Sequence, residues 1–245
     1  MIYLHFHCLP GIDDGPADWA SAEELCRAAA GDGATTLVAT PHVLREPWMN
    51  EDRAAREGLL AELNRRLAGA PRVLAGAEVW FTGDLVSLVE QGTGGPLSTL
   101  ASSRYLLVEF APGFVPAHAA AAFHELVVMG TVPIVAHPER NLVFAREPHR
   151  LGELVDAGAL GQVTAGSFLG AFGRGARAAA EGMVRSGLAH VVASDAHDPR
   201  RRPPLMAAAR ERVRRLWGAG VEEGLFDVNP AAIVADEELP WTFGG

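Results

Sequence analysis

A chain of 245 residues with 49% hydrophobic side chains is long enough to fill one barrel-sized core. A net charge of −9 with no basic block excludes a nucleic-acid backbone as the main partner, and no apolar run approaches the ~20 residues of a membrane span. No basic segment followed by an apolar one opens the chain, and the cysteines Cys8 and Cys26 make no disulfide framework, so the expectation is a cytoplasmic protein of a reducing compartment.

Ile2, Tyr3 and Leu4 read as a buried strand that ends in His5-Phe6-His7. Side chains two apart on a strand point the same way, so His5 and His7 can converge on one ion. A turn from Pro10 to Pro16 then carries Asp13 and Asp14. Asp18 can cap a helix reaching residue 31, with Cys26 on its apolar face. Residues 35–40 form a second, β-branched strand followed by Pro41-His42. A charged amphipathic helix spans residues 50–67, capped by Asn50. The third strand, residues 72–79, holds Glu78 among Ala, Val and Trp, where an acid is costly to bury unless paired or metal-bound.

A short helix over residues 83–91 precedes a strand at 105–110 that has Glu109 near its end. A helix over 116–129 closes at Gly130, and the strand 131–137 runs into His137 and the loop Pro138-Glu139-Arg140-Asn141. A helix at 148–157 and a strand at 160–164 follow. Residues 168–186 read as one helix whose start Gly170, Gly173 and Gly175 weaken. The last strand, 190–194, leads into Asp195-Ala196-His197, and helices at 204–217 and on to Val234 complete the pattern. The tail 239–245 has no predicted structure. Seven strands alternating with helices predict an α/β fold, a distorted, TIM-like (β/α)7 barrel in a single domain. His5, His7, His42, Glu78, Glu109, His137, Asp195 and His197 fall near the carboxyl ends of six of those strands, the face on which barrel enzymes place their chemistry.

The motifs HFHCLPGIDDGP at 5–16, TPH at 40–42, GAE at 76–78, VEF at 108–110, AHPER at 136–140 and SDAHDPRRRPPLM at 194–206 resemble those of the polymerase-and-histidinol-phosphatase (PHP) superfamily. Within it they are most similar to the manganese-dependent bacterial tyrosine-protein phosphatases that act with capsule or exopolysaccharide tyrosine kinases. The resemblance implies three divalent metal ions, manganese first, with iron and zinc as alternatives. His5, His7, Glu78 and Asp195 would hold one ion; Glu78, Glu109 and His137 a second; Asp14, His42 and His197 a third. Asp13 is the rival of Asp14. Arg140 and Arg202 match positions of phosphate-binding or acid-catalytic arginines, with Arg200 and Arg201 as neighbours that spacing does not separate from Arg202. The implied partner is a phosphotyrosine protein, namely a cognate tyrosine kinase, and a homo-oligomer is left open.

The residue types support this chemistry independently. Five imidazoles and four carboxylates without a thiolate suit borderline divalent ions, and metal-activated water is then the expected nucleophile. A thiol mechanism at Cys8 is disfavoured because Asp14 stands where such phosphatases need an arginine. The glycine-rich run at 166–175 lacks the Lys-Ser/Thr of a nucleotide loop. His118, His124, His149 and His190 are assigned to surface or core, and Trp48, Trp80 and Phe114 to barrel packing. The competing functions are a small-molecule phosphatase, such as one for histidinol phosphate, and a non-enzymatic PHP interaction domain.

Overall fold

The computed structural model describes residues 1–243. Nine parallel strand segments, β1 (Ile2–Phe6), β2 (Thr36–Ala39), β3 (His42–Val43), β4 (Arg72–Ala75), β5 (Glu78–Trp80), β6 (Tyr105–Glu109), β7 (Val132–Ala136), β8 (Leu160–Thr164) and β9 (Val191–Ala193), pair as β1-β2-β4 and β3-β5-β6-β7-β8-β9. Segments β4 and β5 are the two halves of one predicted strand, and β3 carries the predicted strand 35–40 past its expected end, so that β2 and β3 make one strand of the ring. The first break falls at Thr40-Pro41, where proline offers no amide hydrogen, yet pairing runs on through it. Thr40 N–H donates to Phe6 O at 2.9 Å and Glu78 N–H to Pro41 O at 3.0 Å. Between the last strand and the first, Asp195 N–H donates to His5 O and His7 N–H to Ala196 O, both at 3.0 Å. These bonds close the expected seven-stranded ring.

Alternation along the strands separates two apolar layers. Leu4, Val38, Leu107, Ile134 and Val191 fill the inside of the ring, while Tyr3, Phe6, Leu106, Val135 and Val192 pack outward against the helices. The register of β1 against β2 slips between Tyr3 and Phe6. Such a bulge lets one strand place Leu4 in the inner core and still aim His5 and His7 inward above it. Glu109 stands two residues beyond the inward Leu107, and Asp195 two beyond the inward Ala193, so the inner face turns from apolar to ionisable at its carboxyl end.

Helix starts follow local chemistry, with two corrections. Asp18 caps Trp19–Gly31 in a reciprocal box with Ser21, as expected. The cap of Arg53–Leu67 is Asp52, not Asn50: Asp52 is extended and accepts from Ala55 N–H, whereas Asn50 takes a left-handed φ of 45° and donates to Ile12 O and His42 O. The helix expected over 168–186 is two, Ala165–Phe168 and Gly173–Arg185, because Gly170 and Gly173 both adopt positive φ. The tail has neither helix nor strand through residue 243, although Asn229 holds Trp241 by hydrogen bonds to its carbonyl and amide; Gly244 and Gly245 lie outside the described residues. Among the described residues no helix is long and apolar enough to cross a membrane.

Candidate metal centre

The carboxyl end of the ring gathers every predicted ligand. His5 donates its Nδ1–H to Gln162 Oε1 and His7 its Nδ1–H to Asp13 Oδ2, each at 2.8 Å. His197 likewise turns Nδ1 to its own loop, donating to Asp195 O at 3.0 Å. With their Nδ1 sides engaged, all three rings present Nε2 to the centre. The Nε2 atoms of His5 and His7 stand 3.1 Å apart there. Glu78 Oε2 lies 3.3 Å and 3.4 Å from them and 2.9 Å from His42 Nδ1, and its Oε1 is 2.7 Å from His137 Nε2. Asp195 Oδ1 faces His5 and His7 at 3.3 Å and 3.5 Å, and Glu109 Oε2 faces His42 at 3.5 Å. His137 and Asp195 both take left-handed φ, 33° and 49°, turning their side chains back over the ring.

The turn after β1 separates the neighbouring acids. Asp14 Oδ1 stands 3.2 Å from His42 Nε2 and 3.1 Å from His197 Nε2, among the inward donors. Asp13 sits behind His7 and accepts from the backbone N–H of Gly15 and of His42. Gly15 is demanded by this packing, since a Cβ there would stand 2.8 Å from His7 O. Donor atoms close enough to share one ion form three overlapping groups: His5-His7-Asp195, His42-Glu78-Glu109 and His7-Asp14-His42-His197. Compared with the partition implied by resemblance, His42 belongs to two groups, His7 extends the third, and His137 touches the second through Glu78.

The electrostatics fit a cation. Glu78 Oε2, Glu109 Oε2 and His197 Nε2 are buried without a hydrogen-bond partner, a costly state for isolated groups. Burial, then the charge of Glu78, pushes the Glu109 carboxyl up to about 8. Burial works against a charged His5, but Glu78 and Asp195 outweigh it and raise its pKa to about 9. Burial, then Arg140, lowers His137 to about 4, and burial, then His7, lowers His197 to about 4. Burial opposes ionisation of Glu78 and Asp195 too, yet His5 beside Glu78 and Arg140 beside Asp195 hold both well below the usual carboxylate range, ionised as a metal ligand must be, and a donor set of nitrogen and oxygen suits Mn²⁺, Fe²⁺ or Zn²⁺.

Two arginines border the centre. Arg140 Nη1 and Arg202 Nη2 both bond Asp195 Oδ2, the latter at 2.8 Å, and Arg202 Nη1 reaches Asp14 Oδ2 at 3.5 Å. Arg200 is 85% exposed beside Glu24 and Arg201 is exposed, so of the three neighbours Arg202 faces the site. A cavity of about 220 Å³ lies between Arg140 and Arg45, over Glu109 and His137. Arg45 was invisible to spacing. It approaches His42 Nε2 at 2.6 Å and Glu109 Oε2 at 3.3 Å, between the rings of Trp48 and Trp80. The assignment of Trp48, Trp80 and Phe114 to barrel packing is corrected: the tryptophans flank Arg45 at the rim, and Phe114 is 62% exposed.

Gln162 is the other residue that sequence reasoning missed. It is buried on β8, the one strand without a ligand, and its only sequence signal is an amide in a buried strand. Gln162→Leu is expected to free the His5 ring and weaken metal binding roughly tenfold or more, the usual cost of losing an outer partner. Equilibrium dialysis against Mn²⁺ measures it, and unchanged affinity would make Gln162 a core residue only.

Residues 1–235 match the CpsB/CapC family of capsular polysaccharide synthesis. The chain belongs to that family. Among its members, the tyrosine-protein phosphatase YwqE of Bacillus subtilis is 39% identical over 206 residues, 82% of this chain and 79% of that protein. The tyrosine-protein phosphatase CpsB of Streptococcus pneumoniae is 28% identical over 244 residues, 97% of this chain and 99% of that protein. A structure from the YwqE and CpsB pair, described as metal-dependent tyrosine phosphatases, superposes with a TM-score of 0.92 at 34% identity, covering 99% of this chain and 97% of that one. The organophosphorus hydrolase of Deinococcus radiodurans, at 14% identity and a TM-score of 0.61, shares the fold.

Proposed function

We propose that this CpsB/CapC-family protein is a metal-dependent protein-tyrosine phosphatase. Its substrate is a phosphotyrosine protein of a capsule or exopolysaccharide system, namely the cognate tyrosine kinase, and it acts in the cytoplasm. The observation that carries the reading is the inward convergence of eight nitrogen and oxygen donors, with His137 joined to them through Glu78 and two arginines at one edge. His5, His7, Glu78 and Asp195 would hold one divalent ion, Glu78, Glu109 and His137 a second, and Asp14, His42 and His197 a third, with Mn²⁺ as the favoured metal. Bound there, such ions activate water and offset the charge of a phosphate monoester.

The chain's own groups do the rest. Arg140 lines the cavity above Glu109 and His137, so a phosphoryl group entering it meets the guanidinium and the ligand cluster together. Arg202 faces the same Asp195 oxygen from the other side, and a pair of guanidiniums can orient two phosphoryl oxygens in a planar grip. Asp195 holds both arginines ready, which lowers the cost of ordering them when substrate arrives. Gln162 and Asp13 keep the His5 and His7 rings aimed inward. The phenol of tyrosine ionises near pH 10, far below an aliphatic alcohol, so the leaving group demands no strong acid.

The reading is tested by rates on a phosphotyrosyl peptide and on histidinol phosphate with Mn²⁺ restored after chelation; preference for the small ester would replace it with a small-molecule phosphatase. Within the reading, Arg140→Ala should retain its metal and lose about 3 kcal/mol of transition-state binding, roughly a hundredfold in kcat/KM. Arg140→Lys should recover only part, because an ammonium cannot make the two-pronged contact. A loss of threefold or less on p-nitrophenyl phosphate and a phosphotyrosyl peptide alike, at full metal content, would return Arg140 to the solvated surface.

A further inference from the structure

Beyond Arg140 the surface stays concave. A groove of about 570 Å³ runs away from the ligand cluster, floored by Leu142, Ala145, Phe172 and Ala176 and edged by Arg140 and Arg146. Arg140 lines both this groove and the inner cavity over Glu109 and His137, so the two adjoin at its side chain. The guanidinium of Arg140 lies 4.6 Å over the Phe172 ring, which places an aromatic wall at the junction. Leu142 is 54% exposed and Phe172 36%, both large apolar side chains that folding leaves uncovered. Leu142 N–H donates to Pro112 O at 2.7 Å, which brings the loop of the exposed Phe114 alongside.

The charge around the groove has one sign. Arg146 and Arg174, the latter between Phe172 and Gly175 in the wall, make no ion pair among the described residues, whereas Arg150, Arg177 and Arg212 on adjoining helices are each paired with a glutamate. Glu139, the one acid of the groove, is turned inward to Thr164 N–H and the Ser167 hydroxyl. On a chain of net charge −9, which repels acidic partners in general, this is a local invitation to a negative side chain.

We infer that this groove seats the polypeptide flanking the phosphotyrosine, with an apolar side chain on the Leu142–Phe172 floor and an acidic one against Arg146. The inference rests on the phosphatase reading above and adds which protein segments the enzyme prefers. A monoester without flanking residues occupies the inner cavity alone and gains nothing from the groove. A peptide gains the burial of one apolar side chain and a rim charge contact, together worth roughly tenfold in binding.

The test is steady-state kinetics of the Mn²⁺-loaded protein on p-nitrophenyl phosphate and on three phosphotyrosyl peptides whose flanks are Leu with Glu, Ala with Ala, and Leu with Lys. The Leu-Glu peptide should have a kcat/KM about tenfold above the Ala-Ala one, expressed in KM. Leu142→Asp should remove most of that advantage, and Arg146→Glu should invert the preference from the Leu-Glu to the Leu-Lys peptide, an inversion that damage to the fold does not produce. Equal kcat/KM across the peptides, or variants that slow p-nitrophenyl phosphate as much as the peptides, would overturn the groove while leaving the phosphatase reading standing. Failure to turn over any phosphotyrosyl peptide while p-nitrophenyl phosphate is cleaved would overturn both.

Discussion

Protein stripped of metal by chelation should hydrolyse neither p-nitrophenyl phosphate nor a phosphotyrosyl peptide, and Mn²⁺ should restore both. The reason is the composition of the centre. Its inward atoms are imidazole nitrogens and carboxylate oxygens crowded against one another as a cation's ligands would be, and the proposed nucleophile is water that only a bound cation activates at neutral pH. The only thiols, Cys8 and Cys26, are fully buried in the apolar layer outside the ring, and the hydrogen bond with Cys26, then burial, raises the Cys8 thiol further from its reactive form. Loss should therefore be complete rather than partial. Metal analysis of the stripped protein makes the test decisive: turnover in protein shown to be metal-free would deny the nine residues their role.

The largest effect of a single substitution is expected at Glu78. Its two oxygens face four of the inward donors, His5, His7, His42 and His137. Glu78→Gln keeps the shape, removes the charge and turns an amide N–H toward imidazole nitrogens that should be free to bind metal. On the proposed partition Glu78 would serve two ions, so its loss would weaken both and a fall of kcat by roughly a thousandfold, about 4 kcal/mol, is expected. The metal bound per chain should fall with it. Because Glu78 opens β5 at the carboxyl end of the ring, above the apolar layer, the variant should still fold, which a thermal melt checks. A variant with full metal and more than a tenth of wild-type kcat would show that Glu78 bridges nothing.

What could be read from the chain alone is what local periodicity and short motifs carry. His5-Phe6-His7 announces two rings on one side of a strand, and His137 and Asp195 announce themselves by following apolar runs that can only be strands. Placing such residues at successive strand ends predicts both the barrel and its reactive face, because parallel strands joined by helices put all their carboxyl ends together. Other choices required tertiary structure. Asp13 and Asp14 are equivalent in any turn rule; their roles separate only when His7 takes one and the gap between His42 and His197 takes the other. Arg202 differs from Arg200 and Arg201 only in facing Asp195. Gln162 acquires its meaning from His5, 157 residues earlier, and Arg45 from Trp80 on β5 and Glu109 on β6, which its own loop neighbour Trp48 does not reveal. Asn50 forfeits the helix cap to Asp52 because the carbonyls of Ile12 and His42 claim its amide. Each of these assignments depends on which group faces a side chain across the ring, and that distance is set by closure of the strands, not by neighbours in sequence.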